Sequence, residues 1–204
     1  MEALFFLIIL IFSVIIHEIA HGYVAEMCGD STARHAGRLT LNPINHIDPL
    51  GSVILPALMY FGSGGSFMFG WAKPVPYNPY NLKNLKWGTV AVGLAGVLSN
   101  LFIAIVFGII IRFADVFSIV PGSPFYTILI SIVLVNVLLA VFNLIPFPPL
   151  DGARVLFSFL PYRFQYIHDY LEQNWLLFII FIFFFAQYII SPAVSLVFGL
   201  IVGI

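Results

Sequence analysis

Charged residues are scarce in this sequence, and their scarcity decides its class. Of the 204 residues, 8% are Asp, Glu, Lys or Arg, and 61% are hydrophobic. A soluble globular domain is typically about one-quarter charged, so the composition indicates a polytopic membrane protein. The formal net charge is −1 and the sequence has no basic cluster, which argues against a nucleic-acid-binding protein.

Cysteine is also nearly absent. Cys28 is the single cysteine, so an intrachain disulfide is excluded and no redox compartment is indicated. We interpret this thiol as a filler near the end of a helix rather than as a metal ligand. The N-terminal apolar segment has no basic start, so we do not interpret it as a cleavable signal peptide.

The first apolar run leads into the pentapeptide His17-Glu18-Ile19-Ala20-His21. Residues 3–16 with their continuation predict a membrane-spanning helix, which needs about 20 mostly apolar residues. On that helix, the side chains of His17 and His21 project from one face, one turn apart. Two imidazoles at this spacing can bind one Zn²⁺, with Glu18 free to act as general base. Three ionisable side chains so close together are costly in lipid, which favours a metal site over a chance match.

A second polar group follows a later apolar segment. Residues 125–145 predict a span, and the sequence there ends in Asn143-Leu-Ile-Pro-Phe-Pro-Pro-Leu-Asp151-Gly152, whose prolines must break the helix. A catalytic zinc usually has three protein ligands and an open position for water. Asp151 is our candidate for the third ligand, because it is an acid directly after a long apolar span. An ordinary Asp-Gly turn is the alternative.

The other histidines are weaker candidates for the metal site. They lie in polar stretches that water can already satisfy, and we interpret His35 and His46 as surface loop residues. His168 lies in the mixed stretch 153–173, which predicts an interfacial amphipathic segment.

The clearest span covers residues 87–112. It contains Gly93, Gly96 and Asn100, and small residues at such spacing let helices approach closely. An amide inside the membrane is costly if it has no hydrogen-bond partner. Asn100 is explained either by a helix–helix hydrogen bond or by a place beside the active site, where it would bind substrate or stabilise the transition state. The residues alone leave both open.

The segment 50–61 is apolar but short, and it contains Pro56. It is too short to span with ease, so we expect a re-entrant segment, with residues 37–78 folding back over the metal site. Residues 37–41 have strand-like composition. An exposed edge there or at 66–72 is a candidate for holding an unwound substrate by β-augmentation.

These segments predict an all-α polytopic membrane protein with about four transmembrane helices and a re-entrant, partly β-like segment. We expect a single integral-membrane domain over residues 1–204, with a three-helix catalytic core at about 3–152 and an accessory segment at 153–204. The apolar part of that accessory segment, 175–204, fits one kinked span or two short ones.

Basic residues predict the orientation. The first span has none before it and is followed by Arg34 and Arg38, so the N-terminus should lie outside. If 50–61 is re-entrant, Lys73, Lys83, Lys86, Arg154 and Arg163 all stay cytoplasmic, and the active site lies nearer the cytoplasmic side. If that segment spans, its three following lysines move to the wrong side.

The chain resembles the site-2 protease family of intramembrane zinc metalloproteases. The resemblance rests on His17-Glu18-Ile-Ala-His21 in one apolar helix and on the stretch from Asn143 to Gly152 ending a later one, and it covers about residues 16–152. The stretch Gly70-Trp-Ala-Lys-Pro-Val-Pro76 is similar to short bacterial and archaeal members, which implies the cell membrane of a prokaryote.

The resemblance also implies the roles of the site residues. His17, His21 and Asp151 would bind one Zn²⁺ per chain, and Glu18 would be the catalytic glutamate. Asn143 would help to bind substrate or to stabilise the transition state. The implied partners are transmembrane or membrane-associated protein substrates and the lipid bilayer, and not nucleic acid.

The chain differs from longer members in having no PDZ or CBS domain and no span before the metal helix. Substrate selection, regulation and oligomeric state are therefore left open by the sequence.

Two other functions use similar residues. A membrane metal transporter also needs intramembrane histidines and carboxylates, but it has little need for a glutamate directly after its first ligand. A non-catalytic protein that binds membrane helices would tolerate the loss of all four site residues. Metal binding without proteolysis would favour the transporter. A function that persists without the four site residues would favour the non-catalytic helix-binding protein.

Overall fold

The computed structural model describes residues 2–62, 64, 70–174, 177 and 186–203. Over these residues the regular structure is helical, with no strand, so the predicted all-α class is confirmed. The α-helices are α1 (Glu2–Met27), α2 (Thr32–His35), α3 (Leu55–Gly62), α4 (Leu85–Arg112), α5 (Pro124–Asn143), α6 (Asp151–Phe159), α7 (Gln165–Gln173) and α8 (Ser191–Val202).

Three of the helices are long and apolar enough to cross a membrane. They are Leu4–Met27 within α1, Leu85–Arg112 and Pro124–Asn143, which agree with the three predicted spans to within a few residues. The fourth predicted span stays a prediction, because residues 175–176 and 178–185 lie outside the described residues. The described part of that region ends in the short helix α8.

The three long helices form one bundle in which α4 contacts both α1 and α5, and α1 also contacts α5. Small residues on α4 allow this approach. A Cβ at Gly96 would collide with the His17 ring on α1, and a Cβ at Gly108 would collide with Ile201 on α8. The predicted close approach of helices at the α4 glycines is confirmed, and at Gly96 it sets the distance between α4 and the motif on α1.

A buried carboxylate secures the end of α1. The helix terminates at Gly29, whose φ is +115°, and the following Asp30 is fully buried. Asp30 accepts hydrogen bonds from Asn78 N (2.7 Å), Asn81 Nδ2 (2.8 Å) and the backbone and hydroxyl of Thr32. Burial alone would raise the pKa of this carboxyl, but these hydrogen bonds outweigh it and hold the pKa below its ordinary value.

The chain comes back, at Trp71, to the start of the short apolar segment 49–62. The segment forms a π-helical turn, Pro49–Ile54, that continues into α3. Trp71 N then donates to Gly51 O (3.0 Å), and Ser52 Oγ donates to Trp71 O (2.8 Å). Because the excursion begins and ends at the same place, its two ends lie on the same side of the bundle. This geometry supports the re-entrant interpretation.

The strand predicted at 37–41 is wrong, since these residues form a turn and bends. Their hydrogen bonds go to side chains and loops instead of to a neighbouring strand: Arg38 Nη2, on a buried side chain, donates to Lys73 O (2.6 Å). Of the other predicted edge, 66–72, residues 66–69 lie outside the described residues, and 70–72 have no regular structure.

His46 also differs from its prediction. We expected a surface loop residue, but its side chain is 3% exposed. Its Nε2 donates to Thr40 O (2.8 Å), and its carbonyl accepts from Lys73 N (2.9 Å). The excursion that returns at Trp71 covers this part of the loop, a tertiary contact that local polarity does not indicate. His35 is exposed, as predicted.

Candidate metal centre

Two distant parts of the chain supply the candidate ligands. His17 and His21 lie one turn apart on α1, and Asp151 is the first residue of α6. The prediction that the prolines end the helix before Asp151 is confirmed, since α5 ends at Asn143. Asp151 then opens a new helix, and that helix packs against α4.

The three side chains meet at one point. Asp151 Oδ2 is 3.1 Å from His17 Nε2 and 3.1 Å from His21 Nε2, and the two Nε2 atoms are also 3.1 Å apart. Within the part of the chain that the structure describes, these residues form the one group of His, Cys, Asp or Glu side chains with metal-binding geometry.

This triangle has the dimensions of a zinc site. Zinc bonds of about 2.0–2.1 Å in a tetrahedron place neighbouring ligand atoms about 3.3 Å apart, close to the observed 3.1 Å. All three residues are buried, and Asp151 Oδ2 has no hydrogen-bond partner. A buried carboxylate oxygen without a partner is costly, and a cation between the three atoms would satisfy it. The residues present therefore fit Zn²⁺.

The Asp151 carboxylate also has a cationic neighbour. Its other oxygen, Oδ1, lies 3.5 Å from Arg154 Nη1 one turn along α6. Both this guanidinium and a cation bound at the triangle would favour the ionised form of the carboxylate.

Hydrogen bonds from the far ring nitrogens orient both imidazoles. His21 Nδ1 lies 2.6 Å from the Val92 carbonyl, and His17 Nδ1 lies 2.6 Å from Asn100 Oδ1. A carbonyl oxygen can only accept, so His21 carries a proton on Nδ1, and the neutral imidazole then directs an unprotonated Nε2 to the centre of the triangle. Bonds of this kind are what fix the tautomer of metal-binding histidines.

Glu18 lies beside the triangle without joining it. Its carboxylate oxygen Oε2 accepts a hydrogen bond from Val75 N (2.8 Å). Val75 is flanked by Pro74 and Pro76, so it carries the one backbone N–H of this tripeptide. The prediction that residues 37–78 fold back over the motif is borne out at this contact.

The contact between Val75 and α1 is closely packed. The Val75 side chain is buried, and a Cβ at Gly22 would lie 2.9 Å from its Cγ1. Gly22 follows His21 directly, so the segment rests on the helix that carries the motif. The Val75 N–H is thereby held in register with Glu18, and Oε1 of the glutamate is left for other partners.

The two asparagines named from sequence have different surroundings. Asn100 is fully buried, and it makes both a helix–helix hydrogen bond and a hydrogen bond to a candidate ligand. Its role in substrate binding or transition-state stabilisation stays a prediction. Asn143 Nδ2 donates to Leu139 O (2.9 Å) in its own helix, and its predicted role in substrate binding stays a prediction.

Sequence reasoning missed several contributors to the site. Asn136 on α5 is fully buried and contacts Asn100 (2.8 Å). The signal that singled out Asn100, an amide inside an apolar span, also applied to Asn136. No sequence signal identifies the Val92 carbonyl or the Val75 N–H, because every residue except proline carries such groups.

Comparison with known proteins identifies the family. The model of peptidase family M50 matches residues 116–187, a region that contains Asp151. The chain is 38% identical over 164 residues to YwhC of Bacillus subtilis, whose name describes it provisionally as a zinc metalloprotease. That match covers 77% of this chain and 69% of YwhC. No solved structure matches the chain.

Two further relatives are longer than the matched region. Zinc metalloprotease MJ0392 of Methanocaldococcus jannaschii is 29% identical over 160 residues, which cover 78% of this chain and 35% of MJ0392. Rip2 of Mycolicibacterium smegmatis, also provisionally named a zinc metalloprotease, is 30% identical over 144 residues, 71% of this chain and 52% of Rip2. The resemblance read from the two motifs is confirmed, and the chain belongs to peptidase family M50, the site-2 proteases.

Proposed function

We propose that the chain is an intramembrane zinc metalloprotease that hydrolyses peptide bonds of membrane-embedded proteins. The observation that carries the proposal is the buried triangle of His17, His21 and Asp151 beside Glu18, on a helix long and apolar enough to span a membrane. His17, His21 and Asp151 are the proposed zinc ligands, and Glu18 is the proposed catalytic residue.

The chain's own groups divide the chemistry between them. Zinc bound at the triangle supplies Lewis acidity and lowers the pKa of a water ligand to about 7. Glu18 is the general base that accepts the proton of the attacking water and later delivers it to the leaving amine. The Val75 N–H holds one of its oxygens and directs the other toward the substrate. The apolar bundle excludes other water from the buried ligands.

The site geometry favours a protease over a metal transporter. A transporter needs a path for the ion through the site, whereas the three ligand residues here are at most 6% exposed and Asn100 and the Val92 carbonyl fix the two imidazoles from behind. The base next to the ligands has no use in transport. A passive helix-binding protein would need none of these residues.

The substrates we propose are transmembrane or membrane-associated proteins. The triangle belongs to a bundle of three apolar helices, so a peptide bond that reaches it must come from the membrane or its surface. A substrate helix has its carbonyls in internal hydrogen bonds, and it must unwind locally before a carbonyl can reach the site. We propose a single catalytic domain over residues 1–204, in which Asn143 contacts substrate or transition state.

We also propose an orientation in the cell membrane of a prokaryote, with the N-terminus outside and the site nearer the cytoplasmic side. The excess of basic residues in the loops after α1 and α3 supports it. The return of the chain from 51 to 71 at the same place supports the re-entrant topology on which it depends.

Replacing the proposed third ligand should abolish zinc binding. Asp151→Ala leaves two imidazoles and no charge to offset Zn²⁺ in a buried site, so zinc content of the purified protein, measured by metal analysis, should fall from about one per chain to near zero. Asp115→Ala is the matched control, because Asp115 is an exposed acid in the loop after α4. Wild-type zinc affinity in Asp151→Ala would place the third ligand elsewhere.

Replacing the proposed base should separate binding from catalysis. Glu18→Gln keeps an oxygen for the Val75 N–H but cannot accept a proton. We expect full zinc content and a fall in cleavage of a single-span model substrate of about 10²–10⁴-fold. Cleavage at the wild-type rate in this variant would rule out the proposed mechanism, and loss of zinc would show that Glu18 supports the metal instead.

Removing the hydrogen bond to Glu18 should slow turnover without releasing zinc. Val75→Pro lacks the N–H, whereas Val75→Ala keeps it and loses only part of the packing on Gly22. Hydrogen bonds to charged groups contribute about 1.5–3 kcal/mol, so kcat should fall about tenfold or more in Val75→Pro, with little change in zinc content. Equal activities of the two variants would contradict a role for this N–H.

Cysteine labelling should report the orientation. Cys28→Ser provides a background without thiols, into which single cysteines are introduced at Asp115, Lys83 and Arg163, all exposed positions. An impermeant reagent added outside intact cells should label the cysteine at 115 and not those at 83 or 163. Labelling at 83 from outside would show that the segment before it crosses the membrane.

A further inference from the structure

Asn136 is a buried polar side chain that the proposed mechanism does not use. It lies in the middle of α5, and none of its surface is exposed. Burying an amide in an apolar bundle is costly unless its donors and acceptor are all satisfied. Asn136 accepts from Asn100 Nδ2 (2.8 Å) and donates from Nδ2 to Ser13 Oγ (2.9 Å) and Ile132 O (2.9 Å).

The hydrogen bonds from Asn136 to His17 have a fixed direction. The Ile132 carbonyl can only accept, so the amide group of Asn136 that faces it must be Nδ2, and Oδ1 must face Asn100. Asn100 must then present Nδ2 to Asn136 and Oδ1 to His17. Since Oδ1 can only accept, His17 must carry a proton on Nδ1, and in the neutral imidazole this leaves Nε2 as the nitrogen that can bind a metal.

We propose that Asn136 is a positioning residue for the metal site: it orients the Asn100 amide, which in turn fixes the His17 tautomer that can bind zinc. The inference rests on the proposed metal site. It assigns to α5 a role in the chemistry although α5 supplies no ligand.

The orientation of Asn100 depends on this contact. Its other hydrogen bond from Nδ2, to Ser13 O, is long at 3.4 Å. An Asn100 amide turned through 180° would present N–H groups to His17 Nδ1 and would favour the tautomer with a proton on Nε2. That proton would point at Asp151 Oδ2, 3.1 Å away, where the metal has to bind. Loss of Asn136 would therefore weaken zinc binding without touching any ligand.

Two substitutions at Asn136 separate orientation from packing. Asn136→Leu keeps the approximate volume and removes the amide. Asn136→Asp, protonated in this dry site, keeps the shape, an acceptor for Asn100 and one donor for the Ile132 carbonyl. The measurements are zinc affinity by competition with a chelator, and the visible spectrum of the Co²⁺-substituted protein, which reports ligand geometry.

We expect Asn136→Leu to bind zinc about 10–100-fold more weakly, the usual effect of losing an outer-shell partner, and to alter the Co²⁺ spectrum. Asn136→Asp should recover most of the affinity and the wild-type spectrum. Ser13→Ala is the control within the network, because it removes one bond and leaves the Ile132 anchor. Its zinc affinity should stay within about threefold of wild type, well below the loss of about 10–100-fold expected for Asn136→Leu. If Asn136→Leu does not fold, Asn136→Val removes the same amide with less volume.

The outcomes distinguish the inference from a purely structural role. Wild-type zinc affinity and spectrum in the folded leucine or valine variant would overturn it. So would a loss of affinity in Asn136→Asp as large as in the apolar variant, since orientation would then not be the cause. If the proposed metal site itself is wrong, other results will show it: the wild-type protein will contain no zinc, or Asp151→Ala will bind zinc as the wild type does.

Discussion

The structure depends on bringing two imidazoles and one carboxylate together inside a bundle of apolar helices, where all three are buried. In an apolar bundle these groups are costly alone, and the 3.1 Å triangle they form lets one divalent cation offset that cost for all of them. The arrangement requires both Nε2 atoms to be bare. The Val92 carbonyl and the Asn100 amide oxygen, which contact the far nitrogens of the two rings, favour this state.

The helices supply different things to the site. α1 carries the two candidate histidine ligands and the proposed base, and α6 begins with the candidate third ligand. α4 contributes no ligand, but its Gly96 lets the His17 ring lie against its backbone, and its Asn100 and Val92 hold the two rings. The loop segment at Val75 supplies the hydrogen bond to Glu18. The proposed metal site therefore depends on close backbone approach of the helices as well as on its candidate ligands.

The errors of the sequence-based predictions have a common physical cause. Polarity and β-propensity are local properties of a segment in water. They cannot show whether a distant part of the chain will pack over that segment and bury it. His46 was expected at the surface because its stretch is polar, yet the returning chain at Lys73 covers it. Residues 37–41 were expected to form a strand, but Arg38 instead donates to Lys73 O, and no partner strand lies among the described residues.

The sequence by itself determined the membrane class, the three long spans, the candidate metal-binding pair with its proposed base, and Asp151 as candidate third ligand. Each of these follows from a local property: apolar length, helical spacing, or an ionisable group where lipid makes it costly. Only the tertiary structure decided which atoms meet. The orientation of both imidazoles, the anchoring of Glu18 by a backbone N–H and the part played by Asn136 all depend on contacts across dozens of residues. Backbone amides and carbonyls are the same at every position, so a sequence cannot show which of them a fold will use.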